Sequence, residues 1–167
     1  MRIFLVGYMG SGKTTLGRRL ARQAGLSFID LDKYIEERHY RTVQQLFAEE
    51  GEELFRRYER KALEEVSQFS DAVVATGGGA PCFFDNMELM NRTGITLFLD
   101  IPAVVLAARL IRSRTERPLI KGKSPEELRA FITKTLERRR PFYQMARHTI
   151  TRPETSTEEI MKLITPP

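Results

Sequence analysis

The sequence predicts an α/β fold, a three-layer, doubly wound parallel sheet with helices on both faces. Two observations indicate this class. Short apolar runs alternate with helical patterns along all 167 residues, and such alternation is typical of a parallel sheet covered by helices. In addition, the first apolar run ends in a glycine-rich loop that leads into a helix, and doubly wound sheets bind their ligands at such strand ends.

Composition and length are those of one globular domain over residues 1–167. Hydrophobic residues make up 41% of the chain and charged residues 29%, which is ordinary for a soluble protein. No apolar run approaches the ~20 residues that span a bilayer, and we see no signal peptide. The single cysteine, Cys82, excludes an intramolecular disulfide framework. We therefore expect a cytoplasmic protein without a membrane partner. We also expect a monomer, although the sequence itself does not give the oligomeric state.

The net charge of +5 arises from 27 basic and 22 acidic residues. Such a surplus suits nucleic acid or small anions equally well. Arginines concentrate at 109–117 and 138–140, with no aromatic stripe on which bases could stack. This distribution favours small anions, and we expect no nucleic-acid partner.

The first strand is predicted at about 2–6, and a helix follows from Lys13 to about Ala24. The loop between them reads Gly-Tyr-Met-Gly-Ser-Gly-Lys-Thr-Thr over residues 7–15, which is the P-loop pattern in the context that confirms it. Lys13 would reach the β- and γ-phosphates of a nucleotide, and the Thr14 hydroxyl would hold Mg²⁺. A glycine-rich turn before an ordinary helix is the alternative.

Several loop residues would contact the nucleotide, because glycines let backbone N–H groups converge on phosphate oxygens and the helix N-terminus favours anions. The predicted set is Gly10, Ser11, Gly12, Lys13, Thr14 and Thr15.

A short second strand is predicted at Ser27–Asp30, with Asp32 just beyond it. Carboxylates separated by one residue point the same way on an extended chain. One of Asp30 and Asp32 could therefore order Mg²⁺-bound water, and the other could accept a hydroxyl proton. Either could instead cap the following helix. Asp100, at the end of another apolar run, competes for the metal role, and spacing alone does not decide between them.

The helical pattern after Asp32 resumes at Thr42, where Thr42 and Gln45 form a plausible capping box. Gly51 is a predicted interruption before the helix continues over 54–69. Within this helix Arg56 and Glu59 are one turn apart and can pair. Such a pair most often belongs to an exposed, salt-bridged face of a helix.

The third strand, 72–75, runs into Gly77, Gly78 and Gly79. Three successive residues without side chains at a strand end allow a small ligand to approach the backbone closely. A plain flexible turn is the alternative. The fourth strand is predicted at 95–99 and is followed by a helix that begins near Pro102.

An arginine-rich segment of irregular pattern, 113–123, separates that helix from the next. Arg117 lies within this segment. Its position is like that of an arginine in a lid that closes over a nucleotide, excludes water and delivers its guanidinium to the transferring phosphate. Helix resumes at Pro125 behind a Ser124 cap, and Pro141 should end or kink it. Its Arg139, taken alone, reads as part of a solvated charge run. A last strand at 149–151 and a helix at 158–164 complete the prediction.

Taken together, these motifs resemble those of the shikimate kinases over nearly the whole chain. Three motifs carry the resemblance: the P-loop continued as Leu-Gly-Arg, the paired aspartates in Phe-Ile-Asp-Leu-Asp, and the triple glycine. Single residues at matching positions add to it, namely Glu52, Phe55, Arg56, Glu59, Arg117, Pro118, Leu119, Glu137, Arg139, Tyr143 and Ala146. The ordered set is much more specific than any one motif.

The resemblance implies phosphorylation of the 3-hydroxyl of shikimate by ATP with Mg²⁺, a step in chorismate and aromatic amino-acid synthesis. It also implies a nucleoside monophosphate kinase-like P-loop fold in one kinase domain, with an acceptor-binding segment at about 32–60 and a mobile lid at about 112–124. A gluconate- or nucleoside-type kinase is the nearest alternative, and a nucleotide-binding regulator without transfer activity is another.

By position, the resemblance implies these roles. Asp32, Arg56, Gly78, Gly79 and Arg139 would bind shikimate, and Asp32 could act as general base. Thr14 and Asp30 would belong to the Mg²⁺ shell, while Lys13 and Arg117 would stabilise charge on the transferred phosphoryl group. Around adenine, the resemblance implies Arg109 or Arg112 on one side and Arg152 with Pro153 on the other.

Overall fold

The computed structural model describes residues 1–113 and 120–165. In these ranges five parallel strands form one sheet, in the order β2-β3-β1-β4-β5. The strands are β1 (Arg2–Val6), β2 (Ser27–Asp30), β3 (Ala72–Ala75), β4 (Ile95–Leu99) and β5 (His148–Ile150). The predicted α/β class is therefore confirmed, and all five strands present their carboxyl ends at one edge.

Helices cover both faces of the sheet. Described residues form α1 (Lys13–Ala24), α2 (Leu31–His39), α3 (Val43–Val66), α4 (Asn86–Thr93), α5 (Ala103–Arg112), α6 (Pro125–Tyr143) and α7 (Thr157–Ile164). The Thr42–Gln45 capping box is present at the start of α3, and Gly51 interrupts that helix with a φ of 82°. Both features agree with the prediction.

Strand β1 runs through the middle of the core. Side chains alternate between faces along a strand, so Phe4 and Val6 pack on one face of the sheet and Ile3 and Leu5 on the other. The first pair packs in a cluster with side chains of α2 to α6, and the second pair with side chains of α1 and α7. A strand buried on both faces needs a continuous apolar run, which explains its sequence.

Several details differ from the prediction. Helix α3 ends at Val66, three residues before the predicted end at residue 69. Helix α4 lies in a stretch for which the sequence predicts no element, because its two turns are too short to display a period. Strand β5 begins one residue earlier than predicted. Pro141 does not end α6, which continues to Tyr143. The backbone N–H of Gln144 still donates to the Arg140 carbonyl at 2.9 Å, so the proline removes little of the last turn.

Two further predictions concern the lid and membrane-spanning helices. Residues 114–119, about half of the lid predicted at 112–124 and with it Arg117, lie outside the described residues. Among the helices that are described, none combines the length and apolar character needed to cross a membrane.

Candidate active site

A cleft of about 900 Å³ opens at the edge where the strands end. Its walls come from the loops after β1 and β5, the ends of β2 and β3, and side chains of α2, α3, α5 and α6. The predicted site residues that line it are Gly10, Ser11, Gly12, Lys13, Thr14, Thr15, Asp30, Asp32, Arg56, Gly78, Gly79, Arg139, Arg152 and Pro153. Only Arg117 of the predicted set lies outside the described residues. Segments far apart in sequence thus contribute to one cavity.

The P-loop has a left-handed backbone at Gly10 (φ 80°) and Gly12 (φ 96°), a conformation that glycine adopts without steric penalty. Gly12 is the N-cap of α1 and supplies no side-chain cap. The first amides of this helix are therefore suited to an anion. The Lys13 ammonium, which is largely buried, donates to the carbonyls of Gly7 at 2.7 Å and Tyr8 at 2.9 Å.

The two aspartates after β2 have different structural positions. Asp30 caps α2, because its Oδ1 accepts a hydrogen bond from the Lys33 N–H at 3.2 Å. Asp32 belongs to the first turn of α2, and its Oδ1 lies 3.0 Å from the point where a Cβ on Gly77 would be. The capping role left open by the sequence therefore belongs to Asp30, and the Asp32 carboxylate faces the triple glycine.

Burial raises the pKa of the Asp32 carboxyl above its ordinary value, and the Asp30 carboxylate raises it further. Lys13 and Arg56 act in the opposite direction by attracting the ionised form. Asp100, the competing carboxylate, is not a lining residue of the cleft. It accepts two hydrogen bonds from Arg140, at 2.8 and 3.0 Å.

Arg56 is 6% exposed, so the face of α3 that carries it is buried and not the solvated face that the sequence also allowed. Its guanidinium donates to Glu59 at 2.9 Å and to Glu52 at 3.1 Å. The Phe83 ring lies 4.2 Å from the guanidinium carbon, within range of a cation–π contact. The sequence gives no sign of Phe83, because it approaches from a segment distant along the chain.

Glu59 is 1% exposed and lines the cleft. Its Oε1 accepts from Arg56, whereas its buried Oε2 has no hydrogen-bond partner among the described residues. That second oxygen lies 3.0 Å from the Cβ position of Gly77. Burial raises the pKa of Glu59 to about 7, and the Arg56 charge limits the rise. The carboxyls of Glu59 and Asp32 thus flank Gly77.

Arg139 approaches the triple glycine from α6. Its Nη1 would lie 3.3 Å from a Cβ on Gly78, and its guanidinium carbon is 5.5 Å from the centre of the Tyr8 ring. Arg56 lies correspondingly close to Gly79. Two guanidinium groups therefore face the same glycine loop, a suitable arrangement for a carboxylate, which arginine binds through paired N–H groups.

The cleft is also lined by Arg109, Arg152 and Pro153. Arg109 donates to the Gly10 carbonyl at 3.1 Å. Arg112 is exposed and is not a lining residue, so Arg109 is the one of these two arginines that reaches the P-loop. Arg152 is 3.6 Å from Glu159 of α7.

A P-loop that shares one cleft with buried carboxylates and arginines, at the edge of a parallel sheet, is typical of a small-molecule kinase of the nucleoside monophosphate kinase-like class. The family model described as shikimate kinase matches residues 9–166. The chain belongs to the shikimate kinase family.

Individual relatives agree with this membership. A shikimate kinase of Parabacteroides distasonis is 59% identical over 145 residues, 87% of this chain and 84% of that protein. The solved shikimate kinase of Bacteroides thetaiotaomicron superimposes with a TM-score of 0.94 at 48% identity, covering 98% of this chain and 97% of the other. A shikimate kinase of Acinetobacter baumannii, solved in complex with shikimate, gives 0.85 at 36% identity over 98% and 92%.

Proposed function

We propose that this chain transfers the γ-phosphoryl group of ATP to the 3-hydroxyl of shikimate, yielding shikimate 3-phosphate and ADP for chorismate and aromatic amino-acid synthesis. One observation carries the proposal: Asp32, Arg56 and Arg139 line the same cleft as Lys13. A kinase for a hydroxylated carboxylic acid needs this combination of a phosphate loop, a carboxylate and two arginines.

At the phosphate end, the N–H groups of the P-loop and of the first turn of α1 would hold the phosphate oxygens. Lys13 would exchange its hydrogen bonds with the Gly7 and Tyr8 carbonyls for the β- and γ-phosphates, and so stabilise charge on the transferred group. Arg109 on one side and Arg152 with Pro153 on the other would contact adenine.

Thr14 and Asp30 fit a Mg²⁺ ion bound with the nucleotide, since both line the same cleft as Lys13 and Mg²⁺ in such sites takes few protein ligands. Asp30 uses Oδ1 as the cap of α2, which leaves Oδ2 as the atom for the ion or for its water. When bound, the ion would neutralise charge on the β- and γ-phosphates.

At the acceptor end, Arg56 and Arg139 would bind the shikimate carboxylate through their guanidinium forks, and Gly78 and Gly79 would bring backbone against the ring. Asp32 would accept hydrogen bonds from ring hydroxyls and take the proton of the reacting one. Its raised pKa suits this task, because a general base works best when its pKa lies closer to the working pH.

Some parts of the proposal concern features that the described residues do not include. We expect Arg117 to deliver its guanidinium to the transferred phosphoryl group from a lid at about 112–124, which would exclude water as a competing acceptor. We also expect a monomer that works in the cytoplasm with no nucleic-acid or membrane partner.

A panel of acceptors in a coupled assay of ADP formation tests the proposal. With ATP and Mg²⁺ present, we expect turnover with shikimate and little with gluconate or nucleosides. Turnover restricted to one of those other acceptors would reassign the substrate. ATP binding without turnover on any acceptor would favour a regulatory role instead.

A further inference from the structure

Tyr143, the last residue of α6, lies behind the cleft and not in its wall. The side chain is completely buried, with its ring 5.1 Å from that of Phe98. Its hydroxyl donates to the Gly78 carbonyl at 2.5 Å. None of the roles proposed above uses this hydroxyl, although it contacts the backbone of a residue that lines the acceptor pocket.

The glycine loop needs such a contact because glycine has the greatest backbone freedom to lose. At its start, the Thr76 hydroxyl donates to the Leu5 carbonyl at 2.9 Å. At its end, the Asn86 amide donates to the Ala80 carbonyl at 2.8 Å. Tyr143 supplies an attachment between these two, at the centre of the glycine run.

The contact fixes a peptide plane as well as a carbonyl. The Gly78 carbonyl and the Gly79 N–H belong to one planar trans peptide and point in opposite directions. Because Tyr143 holds the carbonyl toward the core, the Gly79 N–H is held toward the opposite side, where Gly79 lines the cleft. The orientation of this backbone donor therefore depends on the Tyr143 hydroxyl.

The same helix carries Arg139 one turn before Tyr143. Arg139 Nη1 would lie 3.3 Å from a Cβ on Gly78. Arg139 and Tyr143 therefore both reach the glycine loop at Gly78. Burial raises the pKa of the Tyr143 phenol, an effect that Arg139 reduces only in part. The phenol consequently stays protonated and remains a donor at ordinary pH.

We propose that Tyr143 is a positioning residue for the acceptor: its hydroxyl holds the Gly78–Gly79 peptide so that the Gly79 N–H faces the bound substrate beside Arg139. The inference rests on the proposed function, since it deepens the assignment of the acceptor pocket.

Tyr143→Phe tests it by removing one buried oxygen while keeping the ring. Loss of one hydrogen bond that orders the site should raise KM for shikimate about three- to tenfold. KM for ATP should change less than about twofold, since the P-loop is untouched. Tyr34→Phe is the matched control, because the Tyr34 hydroxyl donates to Glu65 at 2.6 Å outside the cleft, and neither KM should move.

Amide hydrogen exchange of residues 77–82 in the ligand-free protein gives a second readout. We expect faster exchange in Tyr143→Phe and no change in Tyr34→Phe. Unchanged exchange and unchanged KM for shikimate, or an equal rise in both KM values, would overturn the proposal. So would a Tyr143→Phe chain that does not fold, because the hydroxyl would then serve the fold and not the site.

This design separates the two proposals. Turnover of shikimate by the unmodified chain tests the proposed function, whereas the exchange measurement needs no substrate. The unmodified chain could prove inactive on shikimate while Tyr143→Phe still speeds exchange in the glycine loop. Shikimate would then be rejected as the substrate, and the positioning role of Tyr143 would stand.

Discussion

Arg56 lies so close to Gly79 that a Cβ added at position 79 would be 2.5 Å from Nη2 and 2.9 Å from the guanidinium carbon. The backbone of Gly79 is in the right-handed helical region, which any residue adopts. A side chain at position 79 would therefore force the Arg56 guanidinium to move, whereas the backbone there would not be strained.

Gly79→Ala should displace the Arg56 guanidinium and weaken the acceptor pocket. We expect KM for shikimate to rise about tenfold, as one charge-assisted contact is lost, with KM for ATP nearly unchanged. Gly25→Ala is a useful comparison, because Gly25 has a φ of 66° and open space around its Cβ position. That variant should cost about 1 kcal/mol of stability and leave both KM values unchanged.

Arg56→Lys keeps the positive charge and removes the planar fork. Because a lysine cannot make paired hydrogen bonds to a carboxylate, shikimate affinity should fall about ten- to hundredfold. ATP affinity, measured by calorimetry on the same sample, should stay within about twofold. If ATP affinity fell equally, Arg56 would belong to the nucleotide site.

Asp32→Asn should lower kcat about a hundred- to ten-thousandfold, the range expected when a general base is removed. Asp100→Asn is the paired comparison: its carboxylate binds Arg140, with side chains 26% and 36% exposed. Losing that pair should cost no more than about 1 kcal/mol of stability and leave kcat nearly intact. Equal or reversed losses of activity would show that the wrong carboxylate is assigned.

Glu59 should make stability depend on pH. Its pKa rises from 4.5 in the unfolded chain to about 7 in the fold, so the folded protein binds more protons between these values. Stability should therefore fall as pH rises from about 4.5 to 7, by on the order of 3 kcal/mol at most. Glu59→Gln should flatten that slope in chemical denaturation, and an identical slope in both proteins would contradict the assignment.

The features that follow from local sequence could be predicted. The strand before the P-loop, its glycines and the helix after it form one continuous pattern, and the order of the strand-end motifs indicates one ligand edge. The Thr42 capping box and the break at Gly51 likewise depend on neighbouring residues alone.

Other features depend on tertiary packing and could not be predicted. Spacing shows two aspartates after β2, but only the fold shows that Asp30 accepts the Lys33 N–H while Asp32 faces Gly77. Arg56 and Glu59 have the spacing of a surface pair, and their burial arises from packing around Phe83 and the triple glycine. The contact from Tyr143 to Gly78 joins residues 65 positions apart.

The central claim is that one cleft places the terminal phosphoryl group of ATP beside a hydroxylated acid. The most direct test measures ADP release from ATP and Mg²⁺ with and without shikimate. Lys13→Ala is the control variant. We predict release that rises with shikimate to saturation and is nearly abolished in Lys13→Ala. A folded, ATP-binding protein whose ADP release is the same with and without shikimate would contradict the account.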